Sequence, residues 1–330
     1  MSTLRPRLWH MNADFEAELA ALPGSYRRTP TIARRNRRLA PALLWLAREG
    51  DALLIDEPWS DEERREAKRR AVELLEPARA ARQGGRAFTP WGWTPSAVEA
   101  GARAGAIVEP VPHDVVVRVN SKLFSHAMER ELGVALPDAA LAPSLEELNA
   151  AVARACPSAT DKWVVKAPLG FAARGRVLGR GPALDLASAV WAARRFARGE
   201  TLLFEPWLEV RREYGVQLRV EPHGAVTLLG ISRMLTTGAG ATTGFVLGEA
   251  VAPERAAELD RVAREVGRRL RDAGYSGPAN VDALEHAGGL RPLLEINARH
   301  TMGLVALAVE RELGSGRVVE WAPPTCFTRA

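Results

Sequence analysis

The sequence predicts a mixed α/β (α+β) protein with an open α/β domain at its N-terminal end. Two observations carry the prediction. Over residues 1 to about 115, short apolar runs alternate with stretches of helical periodicity, the pattern of an open sheet covered by helices. Near the other end, ANVDALEH-AGG-LRPLLEINARH reads as two strands, Ala279–His286 and Leu290–His300, joined by a Gly-Gly turn. Alternation along these strands places Asp282 opposite Leu293 or Glu295, and in either register Asp282, Glu295 and Asn297 share a face. Two carboxylates and an amide oxygen are hard ligands suited to Mg²⁺. Taken alone, the same pattern also describes a hairpin with a solvated acidic face, so the upstream chain has to decide.

The elements follow in order. Leu4–Trp9 is a short first strand, and helical periodicity appears in Asp14–Leu22 and around Ile32–Arg48 before a strand over Ala52–Ile55. Ser60 opens a long helix, with Asp61 and Glu62 favourably placed in its first turn. Phe88–Pro95 is rigid and aromatic, and Ser96–Gly105 is helical. Trp91 and Trp93 either border a pocket or pack locally, and Asn12 and His113 carry no assignment. Val115–Val119 reads as a buried strand leading to a helix capped by Asn120 or Ser121, with Lys122 in its first turn. A cation there opposes the helix dipole, which favours a phosphate contact over a bland structural role.

Val134–Ala140 is extended, Pro143–Ala155 is a helix capped by Ser144, and Lys162–Ala167 is a strand bearing Lys166. The following loop, Pro168–Arg176, carries Gly170 and Gly175, which allow backbone N–H groups to approach phosphates. Leu202–Phe204 is a strand closed by Glu205-Pro206-Trp207-Leu208. Glu213, Gly215, Gln217 and Arg219 then share one strand face, and Val226–Ile231 with Arg233 forms the next strand. Leu235–Gly248 is Gly/Thr-rich and reads as a mobile loop; Ala256–Ala273 is an amphipathic helix and Gly303–Leu313 a short one.

Composition bounds the function. The chain has 330 residues, long enough for two domains or three small ones, with 47% hydrophobic and 26% charged residues. No apolar run is long enough for a signal peptide or a membrane span, so a cytoplasmic protein is the default expectation. Cys156 and Cys326 show neither a disulfide framework nor a metal-binding spacing. The net charge of +5 raises nucleic acid as a partner. The arginines are interleaved with acids, however, and the densest cluster, Arg27 to Arg38, fits a solvated helix face; no base-reading motif accompanies it. Of 45 basic residues only Lys68, Lys122, Lys162 and Lys166 are lysine. A lysine retained in so arginine-biased a chain marks a place for a compact point charge.

The order of these segments over residues 115 to 313 resembles the ATP-grasp superfamily. The resemblance implies an N-terminal pre-ATP-grasp domain over residues 1–115, a small lid subdomain over 116–204 and a C-terminal subdomain with the metal-binding hairpin over 205–330. It implies ATP as co-substrate, with Lys122 and Lys166 on its phosphates and Gly170 and Gly175 in the covering loop. Glu205, Pro206, Trp207 and Leu208 would grip the adenine through their backbone, and Glu213 the ribose. Asp282, Glu295 and Asn297 would hold Mg²⁺, for which Mn²⁺ is an alternative, and Arg299 would steady the transferred phosphate. Two departures stand out: the phosphate loop is less glycine-rich than usual, and Asn280 occupies a position often arginine in relatives such as D-alanine–D-alanine ligase. Arg219 and Arg233 are candidates for that anion-stabilising role or for an acid's carboxylate, with structural ion pairing the alternative for each. The implied activity is ADP-forming ligation of a small carboxylic acid to an amine or thiol through an acyl phosphate. A kinase and a nucleotide-binding regulatory protein are the alternatives. Many relatives are dimers, so a homodimer is an assembly to test.

Overall fold

The computed structural model describes residues 5–22, 24–55, 58–170, 175–238, 240–314 and 318–323. The N-terminal part holds β1 (Arg7–His10), α1 (Phe15–Leu19), α2 (Pro30–Leu39), β2 (Ala52–Leu54), α3 (Asp61–Arg69), β3 (Glu73–Leu75), α4 (Pro77–Gln83), β4 (Ala87–Pro90) and α5 (Pro95–Arg103). Its sheet is parallel in the order β3-β2-β1-β4. The helix expected around Ile32–Arg48 stops at Leu39 and tightens into a 3₁₀ helix over Ala40–Trp45, because Pro41 has no N–H to continue the ladder. Ser60 and Glu63 form a reciprocal capping box at the start of α3.

Next come α6 (His113–Val119) and α7 (Lys122–Glu131), then β5 (Ala140–Ala142), α8 (Leu145–Ala155), β6 (Lys162–Lys166), β7 (Arg176–Arg180), α9 (Leu186–Phe196) and β8 (Leu202–Pro206). The strand expected over Val115–Val119 is therefore the helix α6. Its β-branched residues suggest a strand, but Val115, Val116 and Val119 fall on one helical face that packs into the central core, and that burial outweighs strand propensity. The segment expected to be extended over Val134–Ala140 forms a strand only from Ala140. The strands of this part make an antiparallel sheet, β5-β8-β6-β7, whose core centres on Trp163, Phe204 and Leu148.

The large sheet contains β9 (Val210–Val220), β10 (Val226–Thr236), β11 (Thr242–Leu247), β12 (Gly277–His286), β13 (Gly289–Asn297) and β14 (Val319–Trp321), in the order β13-β12-β9-β10-β11-β14. The expected mobile loop over Leu235–Gly248 is instead mostly a hairpin. Arg233 faces Val246 and Leu235 faces Gly244, so backbone pairing extends well into the Gly/Thr-rich stretch. Helix α10 (Pro253–Asp272) covers one face with a stripe of Leu259, Val262, Val266 and Leu270. Helix α11 (Met302–Leu313), capped by Thr301, covers the other, and its Val305 and Val309 join Trp9, Leu43, Leu44 and Phe245 in one apolar cluster. That cluster docks the N-terminal sheet on the large one. No helix among the described residues is long and apolar enough to cross a membrane. Cys156 is buried and unpaired with another cysteine, and Cys326 lies outside the described residues.

Candidate functional site

The hairpin register sets Asp282 directly opposite Glu295 and Asn280 opposite Asn297, with β12 lying between β13 and β9. Asp282 accepts from Asn280 Nδ2 at 2.6 Å and from Asn297 Nδ2 at 2.8 Å. Below it, Gln217 Nε2 donates to Asn280 Oδ1 at 2.5 Å while Thr301 Oγ1 donates to Gln217 Oε1 at 2.8 Å. Glycine is required twice here. A Cβ on Gly215 would stand 2.6 Å from Asn280 Oδ1, and one on Gly303 2.4 Å from Gln217 Nε2.

Burial and the facing Glu295 charge push the Asp282 carboxyl up to about 7. Burial also opposes ionisation of Glu295, but Lys122, with Lys166 and Arg299, outweighs it and lowers that carboxyl below its usual range. Lys122 Nζ donates to Glu295 Oε1 at 2.7 Å. The lysine is held there by local structure: Ser121 caps α7 by accepting from Leu123 N, and Lys122 N donates to Pro168 O at 2.9 Å. Helix α7 and the C-cap of α6 also satisfy backbone donors at the end of β13, since Ser125 Oγ accepts from Ile296 N and Asn120 Oδ1 from Ala298 N.

Among the described residues no group of three or more His, Cys, Asp or Glu forms a metal cage. Asp282, Glu295 and Asn297 are instead two carboxylates and an amide, an oxygen set that fits a hard divalent cation with open positions. A cation would also offset the burial and the facing Glu295 charge that raise the Asp282 carboxyl.

The remaining expected residues divide into those that line the same cleft and those that do not. The cleft has a volume of about 810 Å³, and Lys122, Lys166, Gly170 and Arg299 line it together with Asp282, Glu295 and Asn297. Glu205, Pro206, Trp207, Leu208 and Glu213 line it also, as does Arg233. Arg299 is paired with Glu16 of α1 and donates to Asn297 Oδ1 at 3.0 Å. Lys166 is paired with Glu205, which also pairs with Arg291. Arg291 Nε in turn donates to Glu129 Oε1 at 2.8 Å. Although fully buried, Glu205 is held near 2 by these two cations. Burial raises the Glu213 carboxyl, against the Thr236 hydroxyl and Arg176. Arg233 is paired with Glu249.

Arg219 and Gly175 do not line the cleft. Arg219 lies two residues beyond Gln217 on β9, where its charge acts on Arg7, Tyr275 and His300. Gly175, at φ +77°, accepts from Ala167 N and closes the loop base; residues 171–174 of that loop lie outside the described residues. Sequence reasoning missed Glu16 and Arg291, the partners of Arg299 and Glu205. Glu16 sits in no motif, Arg291 lies within the hairpin but carries no spacing signal of its own, and both pairings join residues far apart in the chain.

No family model and no curated protein matches the chain. Solved structures do. Pyruvate carboxylase from Rhizobium etli aligns with a TM-score of 0.58 at 17% identity, over 93% of this chain but 27% of that one. Biotin carboxylase from Campylobacter jejuni, solved with a β-γ-ATP ligand, gives 0.56 at 15% identity over 84% and 69%. The biotin carboxylase domain dimer of Hydrogenobacter thermophilus 2-oxoglutarate carboxylase, solved with MgADP and bicarbonate, gives 0.55 at 15% identity over 86% and 68%. The chain has the ATP-grasp fold. In an ATP-grasp architecture the small antiparallel sheet and the large sheet enclose the cleft, and here the two lysines, the Glu205–Leu208 connection and the acidic hairpin all face it.

Proposed function

We propose that this protein is an ADP-forming ligase that joins a small carboxylic acid to an amine or thiol through an acyl phosphate. The observation that carries the reading is the convergence of Asp282, Glu295, Asn297, Lys122, Lys166 and Arg299 on one cleft. Residues 1–115 would select substrate, 116–204 would cover the nucleotide, and 205–330 would hold the metal and the reacting groups. Neighbours solved with adenine nucleotides support ATP as co-substrate.

Phosphoryl transfer asks a protein for positioning and charge neutralisation more than for covalent chemistry. Lys122 and Lys166 would bind the ATP phosphates, and Glu205–Leu208 would hold the adenine through backbone groups, with Glu213 on the ribose. Asp282, Glu295 and Asn297 would hold Mg²⁺ or Mn²⁺, which when bound neutralises phosphate charge. An oxygen of the acid's carboxylate attacks the γ-phosphorus as its bond to ADP breaks. Arg299 stands beside Asn297 to stabilise the transferred group. The amine then attacks the carbonyl carbon of the acyl phosphate, inorganic phosphate departs, and the amine loses a proton.

The test is a trapping assay with Mg·ATP, a library of carboxylic acids and hydroxylamine as surrogate amine. A hydroxamate formed with ADP is the expected result. Release of AMP would sink the acyl-phosphate route, and a phosphorylated product with ADP and no hydroxamate would favour a kinase.

A further inference from the structure

Arg299, the cation beside the proposed metal ligands, is held from the N-terminal domain. Its Nη2 donates to Glu16 of α1 as well as to Asn297 Oδ1 at 3.0 Å, and its Nη1 donates to the His300 carbonyl at 3.1 Å. Both side chains of the ion pair are mostly buried. Glu16 lines the cleft, and with Leu169, Gly170, Glu295 and Asn297 it also lines a small recess between α1, the Pro168–Arg176 loop and the hairpin. Among the described residues, the Nε–H and the second Nη1–H of Arg299 have no hydrogen-bond acceptor.

Helix α1 is five residues long, too short to hold a side chain in place by itself. The Trp91–Ser96 segment holds it. Asn12 Nδ2 donates to Gly92 O at 2.8 Å and Gly92 N to Asn12 Oδ1 at 3.2 Å, while Phe15 N donates to Asn12 O at 3.0 Å. Towards the end of the helix Glu18 accepts from Ser96 N at 2.8 Å and from Ser96 Oγ at 2.6 Å. The Phe15 ring is buried against Gly92, where a Cβ would stand 2.3 Å from it. The same segment holds the arginine's end of the pair, since His300 N donates to Trp91 O at 2.9 Å. Glu16 and Arg299 are thus tied to one support.

An arginine with no other partner here would be drawn to Asp282 and Glu295, whose charges both act on it. Glu16 competes with them and takes the direct contact: the guanidinium pairs with Glu16 and forms no ion pair with Asp282 or Glu295. Fixing an arginine side chain costs about 2 kcal/mol of rotamer freedom, and a donor fixed before the reaction does not lose that freedom during it. We propose that Glu16 is a positioning residue, which holds the Arg299 guanidinium clear of Asp282 and Glu295 with its remaining N–H groups available to the phosphoryl group in transfer. The N-terminal domain then completes the reacting centre as well as bordering it. The proposal rests on the phosphoryl-transfer step of the reading above.

The test titrates MgADP onto the full chain with and without aluminium fluoride, which mimics the transferring phosphoryl group. Fluoride should tighten MgADP binding by the native chain at least about tenfold. Glu16→Ala should lose most of that gain while its affinity for MgADP alone stays within about threefold. Glu16→Gln, which keeps an acceptor oxygen, should retain part of it. In an Arg299→Ala background Glu16→Ala should add less than about a threefold loss, because both act through one guanidinium. The native gain in Glu16→Ala, an equally large loss for MgADP alone, losses that multiply in the double variant, or no gain in the native chain overturns the proposal. The hydroxamate assay judges the ligase reading separately. Where a hydroxamate forms, Glu16→Ala should lower kcat by about ten- to hundredfold with the ATP KM within about threefold. A native kcat in that variant keeps the ligase reading and overturns the role of Glu16. A fluoride gain that needs both residues, with no hydroxamate from any acid, supports Glu16 and moves the phosphoryl group to another acceptor.

Discussion

Asp282 shows how a single side chain is shaped by its register. It faces Glu295 across the hairpin, and the two amides at 280 and 297 donate to it. Asn297→Ala removes one of those donors and one oxygen of the proposed metal set, and a Mg²⁺ requirement raised at least about tenfold is expected. Titrating ATP turnover with Mg²⁺ checks this; an unchanged Mg²⁺ dependence would remove Asn297 from the set. Glu205 is a structural case. Glu205→Gln leaves Lys166 and Arg291 buried beside a neutral amide, which costs about 3–5 kcal/mol by analogy with other broken buried pairs. Urea unfolding of the variant measures it. Two buried groups also set an acid limit. His300 is pushed down to about 3 by burial and by Arg219, and its Nδ1 faces the Pro90 and Trp91 carbonyls, 3.1 and 3.3 Å away. The unfolded imidazole takes a proton near 6.5 and the folded one does not, so stability is full above about pH 6.5 and falls as pH drops toward 3. Glu205 ionises near 2 when folded and near 4.5 when unfolded, so its contribution is present above 4.5 and is lost as pH falls through 2. Asp282, raised from 3.8 to about 7 in the fold, works against the His300 limb, since it favours the folded state as pH falls from 7 toward 3.8. Urea midpoints should therefore change little down to about pH 4.5 and decline below it, and in His300→Gln they should rise as pH falls from 7 to 4.5.

At the scale of elements, the hairpin was legible because period-two alternation and a Gly-Gly turn leave few registers, and both of those kept Asp282, Glu295 and Asn297 on one face. The cap of α7 was legible too, through Ser121. What misled was propensity without context: a run of valines at 115–119 suits a strand, yet three of them fit one helical stripe against α10 and β9. The Gly/Thr-rich stretch after Leu235 read as a loop because its composition is loop-like, whereas its backbone pairs with β10 whatever its side chains are. The partners Glu16 and Arg291 were invisible for a different reason, since each meets its ion partner only after distant elements pack. The small sheet offers a test of packing. A Cβ on Gly179 would lie 2.0 Å from the Trp163 ring, which is buried, so Gly179→Ala should cost about 1–3 kcal/mol through overpacking. A urea midpoint equal to that of the native chain would show that the ring can move aside.

Over the whole molecule, the cleft depends on two bodies held together by apolar contact. Trp9, Leu43 and Leu44 from the N-terminal part share a cluster with Phe245, Val305 and Val309, so α2 and the acidic hairpin face the same space without a linker between them. Val305 is fully buried, and Val305→Ala should destabilise by about 1–3 kcal/mol while unfolding stays a single transition. Tryptophan fluorescence, which senses Trp9 and Trp91 in the N-terminal part and Trp163 in the small sheet, and far-UV circular dichroism should give coincident single transitions; a biphasic curve would mean that the parts unfold independently.

The strand order has a consequence for how the chain reaches this state. In the large sheet β9 lies between β10, its neighbour in sequence, and β12, which begins only after α10 has crossed the sheet. The pairing of Gln217 with Asn280 spans more than sixty residues. Such non-local contacts close late, because the entropy of the intervening loop is lost before they form. On a ribosome, β9 would emerge with one edge open and stay so until residue 286 had cleared the exit tunnel. During that interval its buried face, rich in Val216, Leu218 and Val220, is the segment of this protein most exposed to aggregation, and the one a chaperone would meet first.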